Sequence, residues 1–136
     1  MKKALSIIAV IALVAVLGVA LVACVPSDPD KAKANLEEAG YEVMVTKASD
    51  GTGVQLGLNA TYKGCVAMVI ASKGLADLDN AITIFYFNDA EDAKACYEDI
   101  KADFDKADDA DKEGYKVGKS GKVVYAGSEE AVKAAG

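Results

Sequence analysis

The stretch ITIFYFND at residues 82–89, together with the helical pattern of residues 90–107, decides the fold of this chain. Its six β-branched and aromatic residues predict a strand, and Asn88 or Asp89 is a suitable cap for the helix that follows. Along that helix the apolar residues return at three- and four-residue steps, at Ala93, Cys96, Tyr97, Ile100 and Phe104. The sequence therefore predicts a strand that leads directly into an amphipathic helix packed on a sheet.

Further elements are predicted on the N-terminal side of this stretch. A helix over residues 29–39 begins after Asp28, an acidic N-cap followed by proline. Residues 41–46 alternate apolar and polar side chains, as in a strand with one buried face, and residues 54–60 show a weaker alternation. Residues 65–71 (CVAMVIA) are apolar on both alternations, which is typical of a central strand covered on both sides or of a strand at a partner surface.

A hairpin and a short helix are predicted on the C-terminal side. Residues 115–117 and 123–125 form the two strands, joined by a turn at residues 118–121 (GKSG). This turn has a superficial similarity to a phosphate-binding loop, but Glu113 stands where the first glycine of that motif belongs, and a strand follows instead of a helix. Ser128 caps the final helix.

The order of these elements predicts an α+β fold. Neighbouring strands with short connections favour an antiparallel or mixed sheet with helices on one face, in a two-layer sandwich. We therefore expect residues 31–136 to form a single α+β domain, which follows an N-terminal apolar signal or anchor helix.

The N-terminus is an apolar run preceded by positive charge. Lys2 and Lys3 are followed by twenty uncharged residues, 4–23, which as a helix would reach about 30 Å, enough to cross a bilayer. Two lysines before the run and none directly after it predict an orientation with the N-terminus in the cytoplasm. Everything after Cys24 is then expected on the extracytoplasmic side of the membrane.

Residues 21–24 (LVAC) resemble the lipobox of a bacterial lipoprotein signal peptide. The resemblance implies cleavage between Ala23 and Cys24, attachment of diacylglycerol to the Cys24 sulfur, and a lipid anchor in the cell membrane. Residues 1–23 are then a signal peptide, and residues 24–30 are the lipidated cysteine and a short tether. Because the apolar run is longer than most signal-peptide cores, an uncleaved transmembrane helix is the alternative.

Three segments of the domain carry a second resemblance: residues 37–43, 85–95 and 123–132. Together they look like small exported lipoproteins of Gram-positive bacteria whose role is uncharacterised. The similarity is a pattern of elements without catalytic motifs. It therefore implies a fold and a location, and no activity.

The composition excludes several classes of function. The chain contains no histidine and no arginine, which rules out catalysis through a histidine base and bidentate arginine clamps. Without residues 1–23 the net charge falls from −6 to −8, which argues against a nucleic-acid partner. The acids of residues 103–113 do not have the spacing of a calcium loop, so they predict a solvated helix end. We expect no enzyme activity, no cofactor and no metal site.

Two cysteines remain once Cys24 is lipidated. Cys65, on the predicted central strand, and Cys96, on the predicted long helix, could form a disulfide outside the cytoplasm. The alternative is that both are small buried apolar side chains. Because no Cys-x-x-Cys spacing is present, a redox or metal-binding role is not favoured.

The sequence favours a non-catalytic binding or interaction module on the outer face of the membrane. Its partner, a protein or a small molecule, is left open. The expected contacts are sheet residues and exposed aromatic residues such as Tyr62, Tyr86 or Tyr125. A structural envelope protein without a ligand, and an enzyme of carboxylate or lysine type, are the alternatives.

Overall fold

A single sheet is the centre of the fold. The computed structural model describes residues 25–48, 62–74 and 79–136. The strands in this part of the chain are β1 (Glu42–Lys47), β2 (Cys65–Ser72), β3 (Ala81–Phe87), β4 (Tyr115–Ser120) and β5 (Val123–Ser128). They pair antiparallel in the order β1-β2-β3-β5-β4. This confirms the predicted α+β class and selects the antiparallel alternative.

The helices in the described residues are α1 (Pro29–Glu38), α2 (Ala90–Lys106), α3 (Asp109–Lys112) and α4 (Glu129–Ala135). Three of them begin at caps that the sequence predicts. The carboxylates of Asp28 and Asp89 each accept a hydrogen bond from the backbone N–H two residues later. The Ser128 hydroxyl accepts from the Ala131 N–H at 3.1 Å. Each cap satisfies a backbone donor that the first helical turn leaves unpaired, typically worth about 1 kcal/mol.

Helices α1 and α4 pack on one face of the sheet. Val69 of β2 and Ile84 of β3 are fully buried there, against Leu36 of α1 and Val132 of α4. Val25, at the start of the segment expected to be a tether, is buried in the same core. The packed part of the chain therefore begins before α1.

Helix α2 packs on the opposite face, over β3, β5 and β4. Its residues Ala93 and Cys96 are buried against Cys65, Phe87 and Val124. The prediction that the helices lie on one face is therefore wrong, and the fold has three layers. The reason is that β2, β3 and β5 carry apolar side chains at both odd and even positions, so that both faces of the sheet require a cover.

The hairpin differs from its prediction. Ser120 pairs with Val123, so the turn consists of Gly121 and Lys122, and the rest of the GKSG segment belongs to β4. Gly121 has φ +60°, a conformation that two-residue hairpin turns require and glycine adopts without strain. The short helix α3 was not expected. The strand predicted at residues 54–60 lies outside the described residues.

Candidate functional site

The sheet face under α2 is open over β1 and β2. Met44 of β1 and Ile70 of β2 are direct cross-strand partners, and 65% and 40% of their respective surfaces are exposed. Thr83 of β3 pairs with Ile70 and continues the row. We call these three residues the open strip. Met44 and Ile70 give the strip an apolar surface that the described part of the chain leaves largely uncovered, whereas Thr83 is half-buried.

The open strip ends in a cavity beneath the C-terminal end of α2. Thr83 belongs to both, because it also lines this cavity of about 220 Å³. The other walls include Phe104 of α2, Val117 of β4 and Tyr115. The Tyr115 hydroxyl donates to the backbone carbonyl of Asp79 at 2.6 Å, which fixes the position of its ring. The surface therefore consists of an exposed strip followed by a socket large enough for one side chain, and binding energy at interfaces concentrates in such pockets.

Tyr62 packs beside the strip, on the side of α2. Its ring meets that of Phe85 edge-on, with centroids 5.0 Å apart. Burial raises the pKa of the Tyr62 hydroxyl, and the charges of Cys96, Asp99 and Asp103 raise this pKa further. These two aspartates of α2 are therefore close neighbours of Tyr62.

Acidic side chains border the open strip on two sides. Glu42 is exposed and lies two residues before Met44, on the same face of β1. Asp99 and Asp103 are exposed on the α2 side. Lys116 is among the residues that line this strip-end cavity, but it pairs with Gly127, so its side chain belongs to the opposite face of the sheet. Because Lys106 pairs with Asp103 at 3.9 Å, the negative charge of this border comes mainly from Glu42 and Asp99, and such a border favours cationic groups.

The three tyrosines expected as contacts occupy different environments. Tyr62 is half-buried beside the strip. Tyr125 is half-buried on the opposite face, where it packs against the core under α1 and α4. Tyr86 is 4% exposed, so the expectation that it is exposed is wrong. It occupies an inward-facing position of the central strand β3, in the same core as Ala67.

Cys65 and Cys96 are free thiols in one buried cluster with Phe87 and Val124. Burial raises the pKa of Cys65. Burial, followed by the charges of Cys65 and Asp99, raises the pKa of Cys96 to about 12. Both thiols are therefore protonated at neutral pH, which makes them poor nucleophiles and poor metal ligands. The fold brings the two cysteines together, and their pairing under oxidising conditions stays a prediction.

A polar cluster lies where β3 begins. The Asn80 side-chain oxygen accepts hydrogen bonds from the hydroxyls of Tyr41 at 2.7 Å and Ser128 at 2.8 Å, and its amide donates to Glu130 at 2.9 Å. Lys73 pairs with Glu130 at 2.7 Å. Hydrogen bonds from Lys73 and Asn80 lower the pKa of Glu130. This carboxylate is therefore charged and paired at neutral pH, and the cluster ties the start of α4 to the sheet.

The acids near the end of α2 pair with lysines of their own helical segments. The pairs are Lys101–Asp105 at 2.6 Å, Lys106–Asp103 at 3.9 Å and Lys112–Asp109 at 4.0 Å. Within residues 25–48, 62–74 and 79–136, no three acidic, cysteine or histidine side chains are grouped as metal ligands.

The residues of the expected lipid anchor, Ala23 and Cys24, lie outside the described part of the chain. Among the helices that are described, none has the length and apolar character to cross a membrane. Comparison with known proteins found no match: no family model fits the chain, and no curated protein and no solved structure is significantly similar to it.

Proposed function

We propose that this protein is a lipid-anchored extracytoplasmic module that binds a partner through the open strip and does not catalyse a reaction. The observation that carries the binding function is the exposed pair Met44 and Ile70 in a row that ends in a cavity. A contiguous exposed apolar surface is one mark of an interaction site.

The lipid anchor is supported by the apolar run of residues 4–23 and by LVAC at residues 21–24. The buried position of Val25 fits an anchor at Cys24, because the folded core then starts one residue after the lipid. The test is the intact mass of the protein purified from bacterial membranes, compared with that of the Cys24→Ala variant. We expect a wild-type mass that lacks residues 1–23 and includes acyl chains, and neither change in the variant. An unprocessed mass in both proteins would indicate an uncleaved transmembrane helix.

The partner's chemistry follows from the charges around the strip. Glu42, Asp99 and Asp103 border the apolar surface, and the chain without residues 1–23 has a net charge of −8. A second copy of the chain and an anionic lipid surface would both be repelled. We therefore propose that the occupant is an apolar polypeptide segment with lysine or arginine residues, in which one side chain enters the strip-end cavity.

Binding is tested with two short synthetic peptides on the full-length protein in lipid nanodiscs. One peptide alternates valine and lysine, and the other alternates valine and glutamate. Ile70→Ser removes apolar contact from the strip, whereas Ala102→Ser, on the exposed side of α2, is the matched control.

We expect wild type and the Ala102→Ser control to bind the valine–lysine peptide, with an affinity that falls as salt rises. Ile70→Ser should weaken this binding about tenfold, the effect of losing most of the burial of one aliphatic side chain. Equal binding by all three proteins, or equal binding of the two peptides, would contradict the assignment of the strip.

A further inference from the structure

The two edge strands of the sheet differ in how well they are protected against pairing with another chain. Strand β4 forms one edge, carries the exposed Lys116 and Lys119, and contacts helix α3. Exposed lysines and a covering element are common means of preventing an edge strand from pairing. Strand β1 forms the other edge, and between Glu42 and Lys47 it contains no charged residue, glycine or proline. The β1 edge therefore lacks the protection that the β4 edge has.

The alternation of hydrogen bonds in the sheet shows which backbone groups of β1 point outward. Lys73, directly after β2, donates its backbone N–H to the carbonyl of Asn80, directly before β3, at 3.2 Å. Odd-numbered residues of β2 therefore direct their backbone groups towards β3, and even-numbered residues direct theirs towards β1. Even-numbered residues of β1 pair with even-numbered residues of β2, so they face β2 in turn. Val43 and Val45 then direct their N–H and C=O groups away from the sheet.

These outward groups of Val43 and Val45 form a free edge. Within the described residues, neither valine makes a hydrogen bond on its outer side. Their side chains pack against the core under α1 and α4, which holds the backbone of β1 in place before a partner binds. Each valine offers one backbone donor and one acceptor, and donors and acceptors at the spacing of a strand match the backbone of another extended polypeptide.

We propose that the partner adds to the sheet as a further strand, antiparallel to β1, and exchanges backbone hydrogen bonds with Val43 and Val45. The partner residue opposite Met44 then lies on the face of the open strip and extends its apolar row by one side chain. The residue opposite Glu42, two places further along the partner, is a lysine or arginine, because opposite charges stabilise a cross-strand pair. That the partner is an apolar, cationic polypeptide rests on the proposed function, whereas the free edge of β1 does not.

The antiparallel direction connects the β1 edge with the strip-end cavity. Glu42 pairs with Ser72, and Ser72 pairs with Ala81, which is one of the residues that line this cavity. A partner strand antiparallel to β1 leaves the edge at Glu42, at the end of the sheet where the cavity lies. The residues that follow this strand can therefore cross the open strip and reach the cavity. A parallel strand would leave at Lys47, at the other end of the sheet.

The probe is a short peptide of sequence VTVTK, blocked at both ends and added to the full-length protein in lipid nanodiscs. In the proposed register its lysine lies opposite Glu42 and its central valine opposite Met44. The two threonines lie opposite Val45 and Val43, so their N–H groups point towards β1. One modified peptide is N-methylated at both threonines. Its matched control is N-methylated at both valines, whose N–H groups point away from β1.

We expect the valine-methylated control to bind as the unmodified peptide does. Methylation of the threonines should weaken binding about tenfold, the effect of two lost hydrogen bonds. Both modified peptides have the same composition and charge, and the protein is the same in both measurements, so a difference reports the backbone contact. Equal binding of the two modified peptides would overturn the added strand. Failure of the unmodified peptide to bind, as when a second copy or another segment of this chain occupies the edge, would also overturn it.

The register is tested by exchanging the charges of the proposed pair. Glu42→Lys should weaken the binding of VTVTK about threefold and strengthen that of VTVTE by a similar factor, the effect of a directly opposite charge pair. The matched control is Glu113→Lys, an equal change of charge at an exposed residue beside the other edge of the sheet, which should change both affinities less. Thermal unfolding shows that each variant is folded. Equal changes in the two variants would overturn the pairing with Glu42.

The added strand and the proposed function can fail separately. If Ile70→Ser binds the valine–lysine peptide as wild type does, the open strip is not the binding surface and the proposed function fails. If Ile70→Ser weakens that binding but the two methylated peptides bind equally, the strip binds its partner without an added strand. Only the present inference is then overturned.

Discussion

The two faces of the sheet are closed to different extents. On one face, α1 and α4 cover a core that extends from Val69 of β2 to Val123 of β5. On the other face, α2 covers Val124 of β5 but leaves Met44 and Ile70 exposed. Similar apolar side chains therefore stabilise the fold on the first face and form an accessible surface on half of the second. This contrast is the physical basis for assigning binding to β1 and β2.

The largest expected effect on stability comes from truncating an isoleucine to alanine on the closed face, compared with the same substitution on the open strip. Ile84→Ala, in the closed core, should lower the free energy of unfolding by about 2–5 kcal/mol, because it leaves a cavity among fully buried neighbours. Ile70→Ala, on the open strip, should change it by less than about 1 kcal/mol. Chemical denaturation of both variants measures the difference. Equal losses would mean that Ile70 is covered and that the two faces do not differ.

A smaller effect is expected from Gly127 in β5, on the closed face. A Cβ added at this position would overlap the backbone of Ala81 and Ile82, which cannot move without disturbing the β3–β5 pairing. Gly127→Ala should therefore cost about 1–3 kcal/mol, the usual range for overpacking. Its control is Lys116→Ala, at the exposed cross-strand partner of Gly127, which should be nearly neutral in denaturant unfolding.

A smaller, pH-dependent effect is expected at Glu130. Its pKa in the folded protein is lowered from the ordinary 4.5 by hydrogen bonds from Lys73 and Asn80. A lowered pKa contributes stability above the unfolded value, and this contribution is lost as the pH falls through the folded value. The melting temperature of wild type should exceed that of Glu130→Gln at pH 7, and the difference should shrink as the pH falls below 4.5. A difference that is independent of pH would contradict this assignment.

The reactivity of the two thiols shows whether α2 covers its half of the second face, and this test requires no substitution. Cys65 and Cys96 are buried beneath α2 with raised pKa values, so a maleimide reagent should modify neither residue in the native protein at pH 7. After denaturation both should react. If the denatured protein of an oxidised sample resists modification until a reductant is added, the two cysteines form the disulfide left open by the sequence.

Local features of the fold are readable from the sequence. The caps Asp28, Asp89 and Ser128 and the apolar period of α2 depend on neighbours within one helical turn, so the pattern of residues contains them. The alternation in β2 also indicates that both of its faces are apolar. This pattern does not show which helix packs on each face, or how much of the face that helix covers.

The site depends on contacts between distant segments. Strand β5 enters the sheet between β3 and β4, and α2 then lies over this side of the sheet rather than over β1. No local pattern of residues determines which strands α2 covers. The sequence therefore does not distinguish the exposed Met44 from a buried methionine. Tyr86 lies with Ile82 and Ile84 on the face that α1 and α4 cover, and because this cover comes from distant segments, the burial of Tyr86 was missed.

The most direct test of the central claim is photocrosslinking from the open strip in living cells. Benzoylphenylalanine is introduced at position 70 and, as a control, at position 102 on the exposed side of α2. We predict that position 70 forms a crosslink to a lysine- or arginine-rich segment of another envelope protein and that position 102 does not. A crosslink from position 70 to residues 49–61 of its own chain, to a second copy of the chain, or to nothing beyond the control would contradict the account.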